Sequence, residues 1–258
     1  MRYVRAIVLC CAIAIAVAAA STASASASAP EFGRCIKFKP SEKPYKGNYT
    51  NSGCTTKSET KEGKFEWLPG VEANDFTGTG GVLNLEGVSP SNRIRCESSA
   101  IAGEYSGTKE VKNVSLTLTG CKLETVRVCS LEPEFGKPIK LTGLEGVIGL
   151  DEVTGTYNAG LDLFKPGRGT IAELYCGGVI IAIRGSVIGQ MKTDKMLSKP
   201  LLKYVGGRGF QTPSHLEGEP IDELEARDAD IEEPFSVWGL TTQFTLLNEE
   251  QVEINDSV

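Results

Sequence analysis

From residue 113 the chain reads NVSLTLTG, which sets Val114, Leu116 and Leu118 on one face of an extended strand and Ser115, Thr117 and Thr119 on the other. The alternation returns in TYNAGLDL, where Tyr157, Ala159, Leu161 and Leu163 share a face. It returns again in FSVWGLTTQFTLL, where Trp238, Leu240, Phe244 and Leu246 share one and Thr242 is a polar exception. A repeat of two marks a strand with one buried face. The 29 glycines break these β-branched and aromatic segments at short intervals. The pattern predicts an all-β chain, an antiparallel β-barrel or β-sandwich. Only MKTDKMLSK and IDELEARDADIEE invite a helix, and neither keeps a helical period.

Two segments carry topological expectations. Val179–Met191 reads either as one long strand bent at Gly185 and Gly189, as around a barrel, or as two strands broken at Arg184-Gly185. Near the end, the polar Asn248–Glu250 reads as the turn of a final hairpin within about 236–254, joining Ser236–Leu247 to Gln251–Ile254. No linker interrupts the chain after its first residues, so 28–258 is expected to form a single β-domain. The repeated LEG triplets at Leu85, Leu144 and Leu216 are unevenly spaced and do not make an array.

The N-terminus changes the picture. Arg2 and Arg5 precede an apolar run from Ala6 to Ala20, and ASASASA follows, offering several small-x-small cleavage sites. That order is a secretory signal peptide, 1–27, with cleavage expected after Ala27 or, second, Ala25. A membrane anchor is disfavoured because the apolar run falls short of the roughly 20 residues that span a bilayer. Of the eight cysteines, Cys10 and Cys11 lie inside this run. The other six are Cys35, Cys54, Cys96, Cys121, Cys129 and Cys176, an even set that reads as three disulfides in an exported chain. Proximity pairs Cys35 with Cys54 and Cys121 with Cys129, leaving Cys96 with Cys176 by elimination. Zinc would want C-x-x-C pairs or histidine partners, and the only histidine is His215.

Charge excludes some partners. The net charge is −6, and loss of Arg2 and Arg5 makes it two units more negative. With no basic cluster, the chain has no electrostatic footprint for nucleic acid or anionic lipid. After the first residues no run could hold it stably in a membrane.

Motifs for catalysis or cofactors are weak. GRGTIA at 167–172 fits a loose dinucleotide pattern, but the β-forming residues after it deny the helix that would hold a pyrophosphate. GSVIG at 185–189 places serine one position too early for a nucleophile elbow. A Ser-His-Asp triad would need His215, which stands in a glycine-rich segment expected to be a loop. The acidic stretch 217–234 reads as a solvated face, and its Asp228 and Asp230 are the best oxygen ligands for calcium, without EF-hand spacing. The sequons at Asn48 and Asn113 matter only in a glycosylating host. No catalytic residue, metal ligand or cofactor is assigned.

Three charges stand among apolar neighbours on the second face of their strands. Asp162 shares a face with Phe164, Glu173 with Ile171 and Tyr175, and Arg184 with Ile180, Ala182 and Ile188. Either they line a semi-polar interior or covered groove, with Arg184 paired to Asp162 or Glu173, or they are exposed residues beside chance apolar ones.

The succession APEFGRC, FEWLPG, GEYSGTK, LTGC, CGGVIIAIRGSVIG and VEIN resembles a group of secreted proteins of actinobacteria with no assigned activity. The resemblance implies export and no residue roles. The expected function is that of a secreted, non-enzymatic extracellular or cell-surface β-protein, a binding module for an extracellular ligand or surface partner. Its rivals are a carboxylate-dependent hydrolase acting on carbohydrate and a purely structural envelope protein. Even cysteine count and export together predict that protein matured in an oxidising compartment has no free thiol. Thiol titration of the denatured, unreduced protein is expected to read zero, and one or more free thiols per chain contradicts it.

Overall fold

The computed structural model describes residues 30–133, 136–153, 156–191, 195–231 and 233–255. The signal peptide expected at 1–27 lies outside them, as does the side chain of Tyr157. The strands are β1 (Glu31–Lys37), β2 (Phe65–Pro69), β3 (Asp75–Gly80), β4 (Leu83–Glu86), β5 (Arg93–Cys96), β6 (Ser98–Tyr105) and β7 (Glu110–Thr119). There follow β8 (Lys122–Leu123), β9 (Arg127–Ser130), β10 (Ile139–Val153), β11 (Thr156–Phe164), β12 (Thr170–Cys176), β13 (Ile180–Arg184) and β14 (Ser186–Met191). The chain ends with β15 (Leu201–Gly207), β16 (Phe210–Thr212), β17 (Glu225–Asp228), β18 (Ser236–Val237), β19 (Gly239–Asn248) and β20 (Glu253–Asn255).

Eight of these close an antiparallel barrel in the order β3–β6–β7–β10–β11–β14–β15–β19, with β19 returning to β3. Closure leaves no unpaired edge. Alternation does the sorting. In β19, Leu240, Thr242, Phe244 and Leu246 are buried while Thr241, Gln243 and Thr245 face out. In β7, Val114 and Leu118 are buried and Leu116 packs against the same core.

A second tier of shorter pairings stands on the barrel. It runs β4–β5–β8–β9–β12–β13–β17–β18, and β18 leads through Trp238 into β19, which pairs back onto β4. Five barrel strands continue into this tier after a break of no more than two residues. One of them is β13–β14, so Val179–Met191 forms two strands. They meet at Gly185, whose φ is 88° and where a Cβ would lie 2.1 Å from the Glu223 carbonyl oxygen. Both the left-handed backbone and the close approach require glycine there. Gly189, by contrast, sits within β14 and makes no bend.

One apolar cluster fills both tiers. Where they join, it leaves a cavity of about 80 Å³ walled by apolar side chains such as Leu83, Leu116, Ile139 and Leu174. That is about half the ~150 Å³ that accommodates a benzene. The barrel is therefore packed rather than hollow.

A three-stranded sheet, β2–β1–β20, caps the far end. Phe32 of β1 is fully buried, with its ring 4.9 Å from that of Tyr105, which in turn lies 5.1 Å from Phe76. Because β20 pairs with β1, the expected C-terminal hairpin of 236–254 does not form. Its supposed turn has another task. Glu250 receives Arg34 at 3.2 Å and the Ala73 N–H at 3.0 Å, tying the cap to the barrel. The stretch IDELEARDADIEE likewise holds strand β17 rather than a helix, with Leu224 and Ala226 buried on one face.

The disulfides are Cys35–Cys54, Cys96–Cys121 and Cys129–Cys176. The first is the expected pair, and the other two correct the expectation. Cys121 and Cys129 are indeed neighbours, joined by a backbone hydrogen bond of 2.9 Å, but Cys129 stands directly across from Cys176 in the β9–β12 ladder. Trypsin can cut after Lys122 and Arg127, between the two cysteines. Peptide mapping of unreduced protein is expected to link Cys121 to Cys96 and Cys129 to Cys176, whereas a linked Cys121–Cys129 peptide pair contradicts the fold.

Candidate functional site

The outer face of β10, β11 and β14 is covered rather than solvated. Gly149 and Gly160 stand opposite each other there, and a Cβ on either would lie 2.8–2.9 Å from a neighbouring side chain. Leu216 of the 213–222 loop occupies that space, within 3.1 Å of a Cβ at Gly160. The Glu217 N–H donates to the Leu150 carbonyl at 2.7 Å, and Ser186 Oγ donates to the Asp222 carbonyl at 2.7 Å. The loop is thus pinned at its middle and at its C-terminal end.

Beneath it lies a cleft of about 200 Å³. Val147, Ile188 and Phe164 give it an apolar floor, Leu216 of the loop adds an apolar cover, and Arg168, His215, Glu219 and Asp222 give it a charged or polar rim. Asp162 projects between Val147 and Ile188, its lateral partners in the ladders, and is only 5% exposed. One carboxylate oxygen, Oδ2, lies 3.6 Å from Arg168. The other, Oδ1, is buried and accepts no hydrogen bond. Burial pushes the Asp162 carboxyl above its ordinary range. Arg168 opposes that rise, and Glu219 adds to it. Arg168 also pairs with Asp222 and lies 4.7 Å over the Phe164 ring.

Of the three charges singled out from sequence, only Asp162 reaches a cleft. It lies outside the barrel wall, under a loop. Glu173 is exposed on β12. Arg184 is exposed too: its Nε donates to Glu225 at 2.7 Å and its guanidinium sits 3.8 Å over the Phe235 ring. The expected pairing of Arg184 with Asp162 or Glu173 is therefore corrected. β13 bends away from β14 at Gly185, and the partner strand β17 supplies Glu225 directly across from Arg184.

The other motifs resolve locally. Gly167 and Arg168 belong to a 3₁₀ turn, Pro166–Arg168, followed by strand β12 and not by a helix. Ser186 is fully buried and committed to the Asp222 carbonyl. His215 is exposed, and its Nδ1 lies 3.2 Å from Ser214 Oγ, without the carboxylate that would orient a catalytic base. Asp228 and Asp230 accept backbone N–H groups, from Asp230 at 2.9 Å and Ile180 at 3.0 Å. Among the described residues no three potential metal ligands converge. Sequence reasoning missed Arg168, Glu219 and Asp222. Arg168 was legible only as a turn residue, and the acids only as part of an acidic run.

A second cleft, about 290 Å³, opens at the end of the second tier beside Trp238, Arg227 and Asp228. The Trp238 Nε1 has no hydrogen-bond partner, but it packs against Gly87, where a Cβ would sit 2.9 Å away.

No protein-family model, curated protein or solved structure matches the chain. The fold and the geometry at Asp162 thus carry the functional argument alone.

A group that binds its proton more tightly when folded makes the protein more stable as pH falls through its folded pKa. Relative to Asp162→Asn, the native protein is expected to gain stability as pH falls toward 3.8, the ordinary value for the carboxyl, and to level off below it. Thermal melts of both proteins at stepped pH check this. A stability difference that ignores pH, or shrinks on acidification, contradicts it.

Proposed function

We propose that the protein is exported and acts outside the cell as a non-enzymatic binding module, with the cleft beneath the 213–222 loop as its binding site. The carrying observation is the buried, unpartnered Oδ1 of Asp162 at that cleft. An unsatisfied buried acceptor typically costs about 1–3 kcal/mol, more if charged, and at a cleft that cost is relieved when a water, an ion or a ligand supplies the missing donor. The packed lumen supports a surface site over an internal carrier cavity. Three disulfides, and the lack among the described residues of any helix long and apolar enough to cross a membrane, are compatible with an extracellular β-protein.

A carbohydrate hydrolase is the second reading, favoured by two carboxylates, Asp162 and Asp222, that share Arg168 at one cleft. Hydrolysis needs one carboxyl free to protonate the leaving group and the other free to act as base or nucleophile. Arg168 ion-pairs with one oxygen of each, so neither stands clear of a cation as the two roles require, which is why binding is preferred.

Screening a small-fragment library by amide chemical shifts is expected to produce hits clustered at residues 162, 186–188 and 215–222, and no turnover of chromogenic glycosides. Hits confined elsewhere overturn the site. Turnover that Asp162→Asn abolishes replaces the binding reading with the hydrolase.

A further inference from the structure

We infer that the cleft under the 213–222 loop recognises an ammonium group carried on a short alkyl stem, with Asp162 as its principal acceptor. This rests on the binding reading above and specifies its ligand. Three carboxylates, Asp162, Glu219 and Asp222, line the cleft against a single guanidinium, that of Arg168, with His215 at the rim. An anion entering here would meet three like charges for one partner. A neutral hydroxyl could donate to Asp162 but would gain nothing from the surplus negative charge. An ammonium offers three donors, no acceptor and a full positive charge.

The shape separates an organic cation from a metal ion. The acids lie around the cleft without converging, and among the described residues no metal-ligating trio exists. Between them lies apolar surface from Val147, Phe164, Ile188 and Leu216, which would cover an alkyl stem. The volume of about 200 Å³ suits a chain of a few carbons with its charged end at Asp162. Arg168 gives a further clue. Its own stem and cation already lie along this surface, 4.7 Å over the Phe164 ring and 3.6 Å from Asp162, while its side chain is 45% exposed. It is a tethered occupant of the chemistry proposed, and its exposure lets a free amine compete with it for Asp162. The same ligand chemistry could come from a free alkylamine or from a lysine side chain of a partner.

The test titrates n-butylammonium, Nα-acetyl-lysine amide, n-butanol and butyrate into the intact protein while amide shifts at 162, 186–188 and 215–222 are followed. Butylammonium is expected to move these signals and the alcohol and carboxylate not. Acetyl-lysine amide moving them equally marks a peptide lysine as an admissible source, and its failure restricts the site to free amines. Asp162→Asn is expected to weaken the amine at least about tenfold, as loss of one charge-assisted hydrogen bond does. Arg168→Gln, at an exposed position, is expected to tighten it by removing the competitor, a gain that a merely structural role for Arg168 would not produce. Butanol or butyrate binding as well as the amine, or an unchanged affinity in both variants, overturns the ammonium while leaving the cleft a binding site. No response to any of the four overturns both.

Discussion

The register of β19 is the constraint on which the molecule depends. Leu240, Phe244 and Leu246 point into the core, and Thr241, Gln243 and Thr245 point away from it. A slip of one residue would exchange these sets entirely. Since β19 pairs with β15, β3 and β4, that slip would also break both tiers at once. Five strands pass from one tier to the other, so the two cannot choose their registers independently. A single cluster of apolar side chains spanning both is the packing counterpart of that shared backbone.

The cleft follows from the same alternation. Inward residues Leu161 and Leu163 leave Gly160 and Asp162 on the outer face, where an antiparallel barrel usually meets water. Two facing glycines make that patch flat enough for Leu216 to seat, and the seated loop removes water from Asp162. The carboxyl is therefore buried by a loop, not by the core. Its raised proton affinity, its half-satisfied hydrogen bonding and its access to ligand space all come from that one arrangement. Arg184 has the same pattern of apolar neighbours along its strand but no loop above it, so it remains a solvated ion pair with Glu225.

This contrast measures what was legible in the sequence. The alternation of β7, β11 and β19 could be read because one face of each is apolar and the other is not. β17 could not, because the helix-forming Glu, Leu, Ala and Arg of its segment hide the burial of Leu224 and Ala226. The placement of β20 was hidden by its short distance from β19, which suggests a hairpin; a barrel that already pairs β19 on both sides has no room for another partner. Cysteine pairing failed for a related reason. Nearness along the chain set Cys121 against Cys129, whereas adjacent strands set Cys96, Cys121, Cys129 and Cys176 in one row. A row of four can pair as an outer and an inner couple or as two neighbouring couples, and ladder geometry, absent from sequence, makes the choice.

The positions of the disulfides then acquire a reason. None joins two strands of the main barrel, whose ladders are long. Cys96–Cys121 and Cys129–Cys176 lie in the second tier, where β5–β8, β8–β9 and β9–β12 are each held by only two paired residues. Cys35–Cys54 lies in the cap, whose own small cluster of buried residues, apart from the Phe32 that joins the main core, is Tyr49, Trp67 and that cystine. Covalent links thus fall where few hydrogen bonds and little apolar area are available, each contributing typically 2–4 kcal/mol. The cleft draws on both regimes. Its floor belongs to the barrel strands β10, β11 and β14, which need no cystine. Its cover leaves β16 and enters β17, which pairs with β13 in the cystine-bound tier. An oxidising environment therefore matters less for the wall that carries Asp162 than for the loop that shields it from water.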